Sequence, residues 1–118
     1  MTERQTQTTM QENQDPQVRG EASTIAPSGA QATTLLKVAA KSRPSAIAGA
    51  IAGVIRGGGV AMVQAVGAAS VNQAVKAIAI AQSYLQGDQI SIVCIPSFLE
   101  VSIDDQERTA MCLQVEPR

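Results

Sequence analysis

Histidine is absent from the 118 residues, tryptophan is absent too, and the aromatics amount to one tyrosine and one phenylalanine. Without an imidazole, serine and cysteine nucleophile schemes that lean on a histidine base are excluded, and so are zinc sites that need a histidine ligand. Tyr84 and Phe98 are too few to build the stacking platforms of single-strand binders or RRM modules. Cys94 and Cys112 are the only thiols, and two ligands do not make a metal site. Each lies in an apolar alternating run, which reads as two buried, unpaired cysteines in a reducing compartment. No apolar targeting core is present near the start, where Glu3, Glu12, Asp15 and Glu21 stand. The longest uncharged run, Gly57 to Val75, contains three consecutive glycines together with Gln64, Ser70, Asn72 and Gln73, a composition that no membrane-spanning helix carries. A cytoplasmic protein with no membrane partner is expected.

What is present divides near Thr33. Residues 1–33 are rich in Gln, Thr and Glu with scattered Val18 and Ile25, too little apolar surface to offset the entropy of ordering them, so a disordered tail is expected. From residue 34 to 118 the composition turns to Ala, Val and Ile, enough for one small domain with one core. The domain is nearly neutral: Lys37, Lys41, Arg43, Arg56, Lys76, Arg108 and Arg118 stand against Asp88, Glu100, Asp104, Asp105, Glu107 and Glu116. Any attraction for nucleic acid must therefore come from local placement of charge.

Within the domain the hydrophobic period switches between two and three to four. Leu35 to Lys41 alternates and predicts a strand. Pro44 suits the first turn of a helix, where its missing N–H costs nothing, with Ser42 or Arg43 as the cap and Ile47, Ala48, Ile51, Val54 and Ile55 on one face. Gly57, Gly58 and Gly59 stop it. Val60 to Val66 is a second strand, and after the joint at Gly67 the apolar positions Val71, Ala74, Val75, Ile78, Ala81 and Leu85 predict a helix over Ser70 to Leu85. Ser70 fits its N-cap and Gln73 the reciprocal partner of a capping box. Gly87 and Asp88 form the turn out of that helix. Gln89 to Ile95 and Thr109 to Glu116 complete the strands, with Pro96 closing a ladder or marking an edge and Asp104-Asp105 at a hairpin turn. The class is α/β, a two-layer βαβαββ domain with a mixed four-stranded sheet and both helices on one face.

Right-handed strand-helix-strand connections make the first two strands parallel, so both helices start at the same edge of the sheet. Lys41 and Arg43 fall in the first loop, and Asn72, Gln73 and Lys76 at or just after the second. Two helix N-termini, three cations and two amides converge on one rim, an arrangement a phosphate backbone favours.

Three segments, KVAAKSRPSAIAGAIAGVIR, VQAVGAASVNQAVKAIAIA and ISIVCIPSFLEVSIDDQERTAMCLQVEPR, closely resemble the stage V sporulation protein S family along nearly all of Leu35 to Arg118. The specific marks are the A-x-G-x-x-x-x-N-Q-A-V-K joint, C-I-P, E-R-T-A and the final V-E-P-R. The resemblance implies an Alba-like fold, homodimers, nucleic-acid binding and a link to sporulation or developmental regulation. Residue by residue the carry-over is uneven. Alba-type proteins place two basic residues just before a helix-opening proline, and here Lys41 and Arg43 surround Ser42 ahead of Pro44, so one position is kept and one displaced. The arginines that flank the glycine of the joint in Alba-type proteins are replaced by Val66 and Ala68. The hairpin, a basic arm in those proteins, carries Asp104, Asp105 and Glu107 against Arg108, and phosphate repels such an arm.

A second surface concerns self-association. Gln73, Ala77, Ile80 and Tyr84 recur on the face of the second helix opposite the expected core, and Ala46, Gly49, Ala50 and Gly53 give the first helix a smooth outer face. Ala77, Ile80 and Tyr84 are the candidate dimer interface. The remaining motifs are weak. The glycine triplet lacks the Lys-Ser/Thr of a P-loop and precedes a strand, and the acids near Asp104 are too few for a calcium loop. No catalytic set and no cofactor are expected, nor any small-molecule substrate. Two readings remain open: a small regulatory protein that binds DNA or RNA weakly through Lys41, Arg43, Asn72, Gln73 and Lys76, or a homo-oligomeric assembly module without nucleic-acid contact.

Overall fold

The computed structural model of the chain describes residues 22–25 and 32–118. Along the sequence run β1 (Ala22–Ile25), β2 (Thr33–Val38), α1 (Pro44–Arg56), β3 (Val60–Ala65), α2 (Ala68–Gln86), β4 (Ile92–Ile103) and β5 (Gln106–Pro117). In space the sheet order is β1-β2-β3-β5-β4, with β2 and β3 parallel and every other pairing antiparallel. The four strands β2 to β5 with two helices are the mixed βαβαββ arrangement expected. The addition is β1, which pairs Ala22 with Leu36 through Ile25 with Thr33, so part of the stretch expected as a tail forms an edge strand and Thr33 already belongs to β2. Residues 1–21 and 26–31, the rest of that stretch, lie outside the described residues.

Register assigns the two faces of the sheet. Leu36 pairs with Val63, Val38 with Ala65, Ala61 with Val115 and Val63 with Leu113, and all of these are buried in one cluster with α1 and α2. Both helices therefore cover one face. From α1 the cluster receives Ile47, Ala48, Ile51, Ala52 and Ile55; from α2 it receives Ala74, Ala77, Ala81 and Leu85. The buried stripe of α2 is thus rotated from the expected one: Val75 is 53% exposed, while Ala77, expected on the outer face, is fully buried. Small side chains on α2 let it approach α1 closely, and the isoleucines of α1 fill the space between them, so the contact selects alanine over the larger valine.

Both helix boundaries follow from local backbone chemistry. Pro44 occupies the first turn of α1 behind Arg43, whose side chain makes no capping bond. Its end is a Schellman motif: the Gly59 N–H reaches the Val54 carbonyl at 3.0 Å and the Gly58 N–H the Ile55 carbonyl at 3.0 Å. Gly59 has no alternative, since a Cβ there would lie 2.9 Å from the Ala32 carbonyl oxygen. At the other joint, Gly67 is the N-cap of α2 with φ 91° and ψ 155°, a conformation open to glycine and little else. The capping box expected from Ser70 and Gln73 is therefore replaced: the glycine turns the chain sharply enough to start the helix at Ala68, which carries Ser70 inside the first turn. Gln82 anchors the exit from α2, donating to the Ile90 carbonyl and accepting from the Ile92 N–H.

The hairpin is longer than its alternating segments suggested, twelve residues in each strand. Its two-residue turn is Asp104-Asp105, with φ of 52° and 61°, the signs of a type I′ turn. Alternation of bonded and non-bonded pairs outward from Ile103–Gln106 places Pro96–Leu113 among the non-bonded pairs. Pro96 thus turns its missing donor toward the free edge of the outermost strand. Beyond Ala65–Met111 no residue of β3 pairs with the hairpin.

Candidate nucleic-acid interface

The two helix starts meet directly. Ala39 to Ser42 form a closed turn in which the Ser42 N–H donates to the Ala39 carbonyl at 3.0 Å and the Ala39 N–H to Ser42 Oγ at 2.9 Å. From the first turn of α2, Gln73 Nε2 donates to the Ser42 carbonyl at 2.9 Å. A single amide thus ties the loop before α1 to α2 and sets the spacing of the rim. Gln73 is a half-buried positioning group, whereas Lys41, Arg43, Asn72 and Lys76 are exposed. Asn72 and Lys76, four positions apart, share a face of α2.

Neither helix has an acidic residue in its first turn. The unbonded N–H groups of those turns and the positive ends of the two helix dipoles therefore stand without a local counter-charge on the helices themselves. Among the described residues the one ion pair is remote from this rim, joining Arg56 Nε to Asp88 Oδ2 at 2.7 Å, with Arg56 Nη2 also donating to the Tyr84 carbonyl. That pair locks the end of α1 to the end of α2. The arrangement at the rim can engage oxyanions by backbone N–H groups and by exposed cations.

Sequence reasoning missed what lies beside the rim. A cavity of about 620 Å³ opens at the carboxyl ends of β2 and β3, lined by Lys37, Ala39 and Ala40 on one side and by Val101, Ser102 and Ile103 on the other, with Gln64, Val66 and Ser70 between. Since β3 and β5 separate β2 from β4 in the sheet, these strands share a cavity only because the long hairpin coils back over the face that the helices leave open. Hairpin length and twist, absent from any local motif, decide this. The acids of the tip, next to Ile103, are thereby carried toward the Ala39-Ala40 loop.

The cysteines part company. Cys112 is buried on β5, whereas Cys94 is exposed on the outermost strand, which corrects the expectation that both are enclosed. The alternating run around Cys94 signalled a strand, but a strand at the sheet edge leaves one flank bare. Burial pushes both thiols above the ordinary range, with a Ser97 hydrogen bond acting in the opposite sense on Cys112. Neither is poised as a thiolate. Of the candidate dimer residues, Ala77 belongs to the core, Ile80 is half-buried against it, and Tyr84 is exposed. No group of three or more His, Cys, Asp or Glu side chains able to hold a metal occurs among the described residues, and no helix there is long and apolar enough to cross a membrane.

A family model described as Stage V sporulation protein S matches residues 34–118, the whole stretch from β2 to the end of the hairpin.

Proposed function

We propose that this chain, which belongs to the stage V sporulation protein S family, is a non-enzymatic cytoplasmic regulator in sporulation or development that binds nucleic acid weakly through the phosphate backbone. One observation carries the reading: the Gln73 to Ser42 bond joins two helix starts, both free of acids, with Lys41, Arg43 and Lys76 around them. Phosphate oxygens meet N–H groups and cations there, and without aromatic stacking the contact is led by the backbone rather than the bases. The small number of cations makes it weak and steeply salt-dependent.

Replacing Lys41, Arg43 and Lys76 together by Ala tests this. Affinity for DNA and for RNA should fall about equally across sequences, and the slope of log affinity against log salt should flatten by roughly three units. Fold stability should stay within about 0.5 kcal/mol, because exposed charges contribute little to it. Unchanged affinity and slope would refute the rim.

The rival reading is a homo-oligomeric assembly module, favoured by the apolar side chains on the outermost strand: Phe98 is 77% exposed, and Ile95, Leu99 and Ile103 are exposed as well. A salt-independent oligomer with no nucleic-acid affinity would favour it. With Ala77 enclosed, the helix patch is reduced to Ile80 and Tyr84, and Ile80→Glu that leaves the oligomer intact would move the interface to the hairpin.

A further inference from the structure

We propose that the cavity at the carboxyl ends of β2 and β3 binds a small phosphate monoester with an apolar body, its phosphate held at the start of α2 and its body against the hairpin. The volume of about 620 Å³ lies in the range of small-molecule sites. Its walls divide by chemistry. Leu35, Val66, Val101 and Ile103 are apolar; among the described residues Lys37 is the one charged residue of the lining, and Gln64, Ser70 and Ser102 are polar.

Ser70 points to a ligand independently of the helix end on which it stands. It is only 7% exposed, it lines the cavity, and among the described residues its hydroxyl has no hydrogen-bond partner. The other buried serine, Ser42, accepts from the Ala39 N–H. A buried hydroxyl without a partner is disfavoured unless something else occupies its bonding sites. Around it, α2 is nineteen residues long, and its first intrahelical bond of this turn runs from the Val71 N–H to the Gly67 carbonyl, which leaves the N–H groups of Ala68, Ala69 and Ser70 as free donors. Gly67 keeps the approach open, since a Cβ there would meet nothing within 4 Å. Of that turn Ser70 is the residue that lines the cavity, so an oxyanion there meets its hydroxyl and the positive end of the helix, with Lys37 supplying the charge. A polyphosphate would leave further charges facing Val101 and Ile103, so a monoester fits better. The compound is proposed as a ligand that leaves unchanged.

The test uses the full chain, with phenyl phosphate and inorganic phosphate as probes in amide and methyl NMR titrations without nucleic acid. Phenyl phosphate should give saturable shifts at the amides of Ala68 to Ser70 and at the methyl groups of Val101 and Ile103, and inorganic phosphate should bind about tenfold more weakly for want of an apolar body. Ser70→Ala should weaken phenyl phosphate about fivefold or more while leaving the melting temperature unchanged or higher, since no protein partner is lost. The Lys41, Arg43 and Lys76 triple alanine variant should bind it as wild type does, which separates this site from the cations of the proposed nucleic-acid rim. The cavity site is overturned by the absence of saturable shifts at millimolar phenyl phosphate, by undiminished binding to Ser70→Ala, by equal affinity for inorganic phosphate, or by loss of binding in the triple variant.

Discussion

The two faces of the sheet obey different rules. On the helix side, Leu36, Val38, Ala61, Val63, Leu113 and Val115 meet α1 and α2 in one cluster, and the interhelical seam is lined by alanine because the helices approach closely. On the other side no helix of the described residues packs, and Ala110 and Cys112 are buried there while Phe98, Ile95, Leu99 and Ile103 of the outermost strand remain exposed. The first face is set by packing and tolerates little change of volume; the second is set by the course of the hairpin and leaves room for a cavity and for apolar side chains with no partner among the described residues. Stability therefore resides with one face and the candidate binding surfaces with the rim and the other.

The largest effect that sharpens this contrast comes from overpacking. Ala81→Leu enlarges a fully buried position in the α1–α2 layer and should cost about 3 kcal/mol, whereas Phe98→Ser on the outermost strand should change stability by less than about 0.5 kcal/mol. Urea denaturation of both variants measures the difference. A large loss from Phe98→Ser would show that the exposed strand is packed in solution, and so that a second copy covers it.

Next in size is the joint that builds the rim. Gly67→Ala forces a side chain into φ 91°, so it should destabilise by about 1–2 kcal/mol although nothing occupies the space. Gly49→Ala on the outer surface of α1, where a Cβ also meets nothing within 4 Å, should stabilise by about 0.5–1 kcal/mol through the better helix propensity of alanine. The same substitution with opposite signs isolates backbone conformation from packing. Equal effects at both positions would remove the strained turn as the device that starts α2.

A smaller change is expected at the hairpin tip. Because Ser102 and Ile103 share a cavity with Ala39 and Ala40, the acids at Asp104 and Asp105 stand on the side of the rim. Asp104→Asn with Asp105→Asn removes two negative charges while keeping residues that tolerate positive φ. Nucleic-acid affinity at low salt should rise several-fold, and the gain should fade as salt screens it. No gain would mean that the tip points away from the bound backbone.

The fold was largely legible because its signals are local and repeated. Pro44 opening α1, the glycine triplet ending it, the change of period across Gly67 and the Asp104-Asp105 turn each act within a few residues, and the structure keeps all four. What stayed hidden depended on neighbours. The inward turn of Ala77 and outward turn of Val75 are decided by how closely α1 lies, which a hydrophobicity pattern does not encode. Ser70 and Gln73 have the spacing of a capping box, yet a glycine at φ 91° starts the helix earlier and frees Gln73 to reach Ser42. The meeting of the two helix starts was legible from topology alone, since parallel strands bring both to one edge; the adjoining cavity was not, because it involves residues of a hairpin formed far along the chain. Cys94 and Cys112 occupy equally apolar runs, and their different exposure follows from which strand ends at the sheet edge.

The smallest effect lies where α2 leaves the packed layer. The Ile90 N–H reaches back to the Leu85 carbonyl at 3.2 Å and the Gln89 N–H to the Gln86 carbonyl at 2.9 Å, the two bonds of a Schellman motif, and Gln89 holds the left-handed position at φ 57°. The corresponding residue at the end of α1 is Gly58, at φ 84°. Two helices that pack side by side thus end in the same motif, one with the residue that suits it and one without. Gln89→Gly should relieve the cost of a side chain at positive φ and stabilise by about 0.5 kcal/mol, the gain being trimmed by the greater freedom of glycine in the unfolded chain. Gly58→Gln should lose about 1 kcal/mol by the same argument in reverse. Chemical denaturation resolves both, and a Gln89→Gly variant less stable than wild type would mean that the glutamine side chain, exposed as it is, contributes more to the end of α2 than its backbone costs.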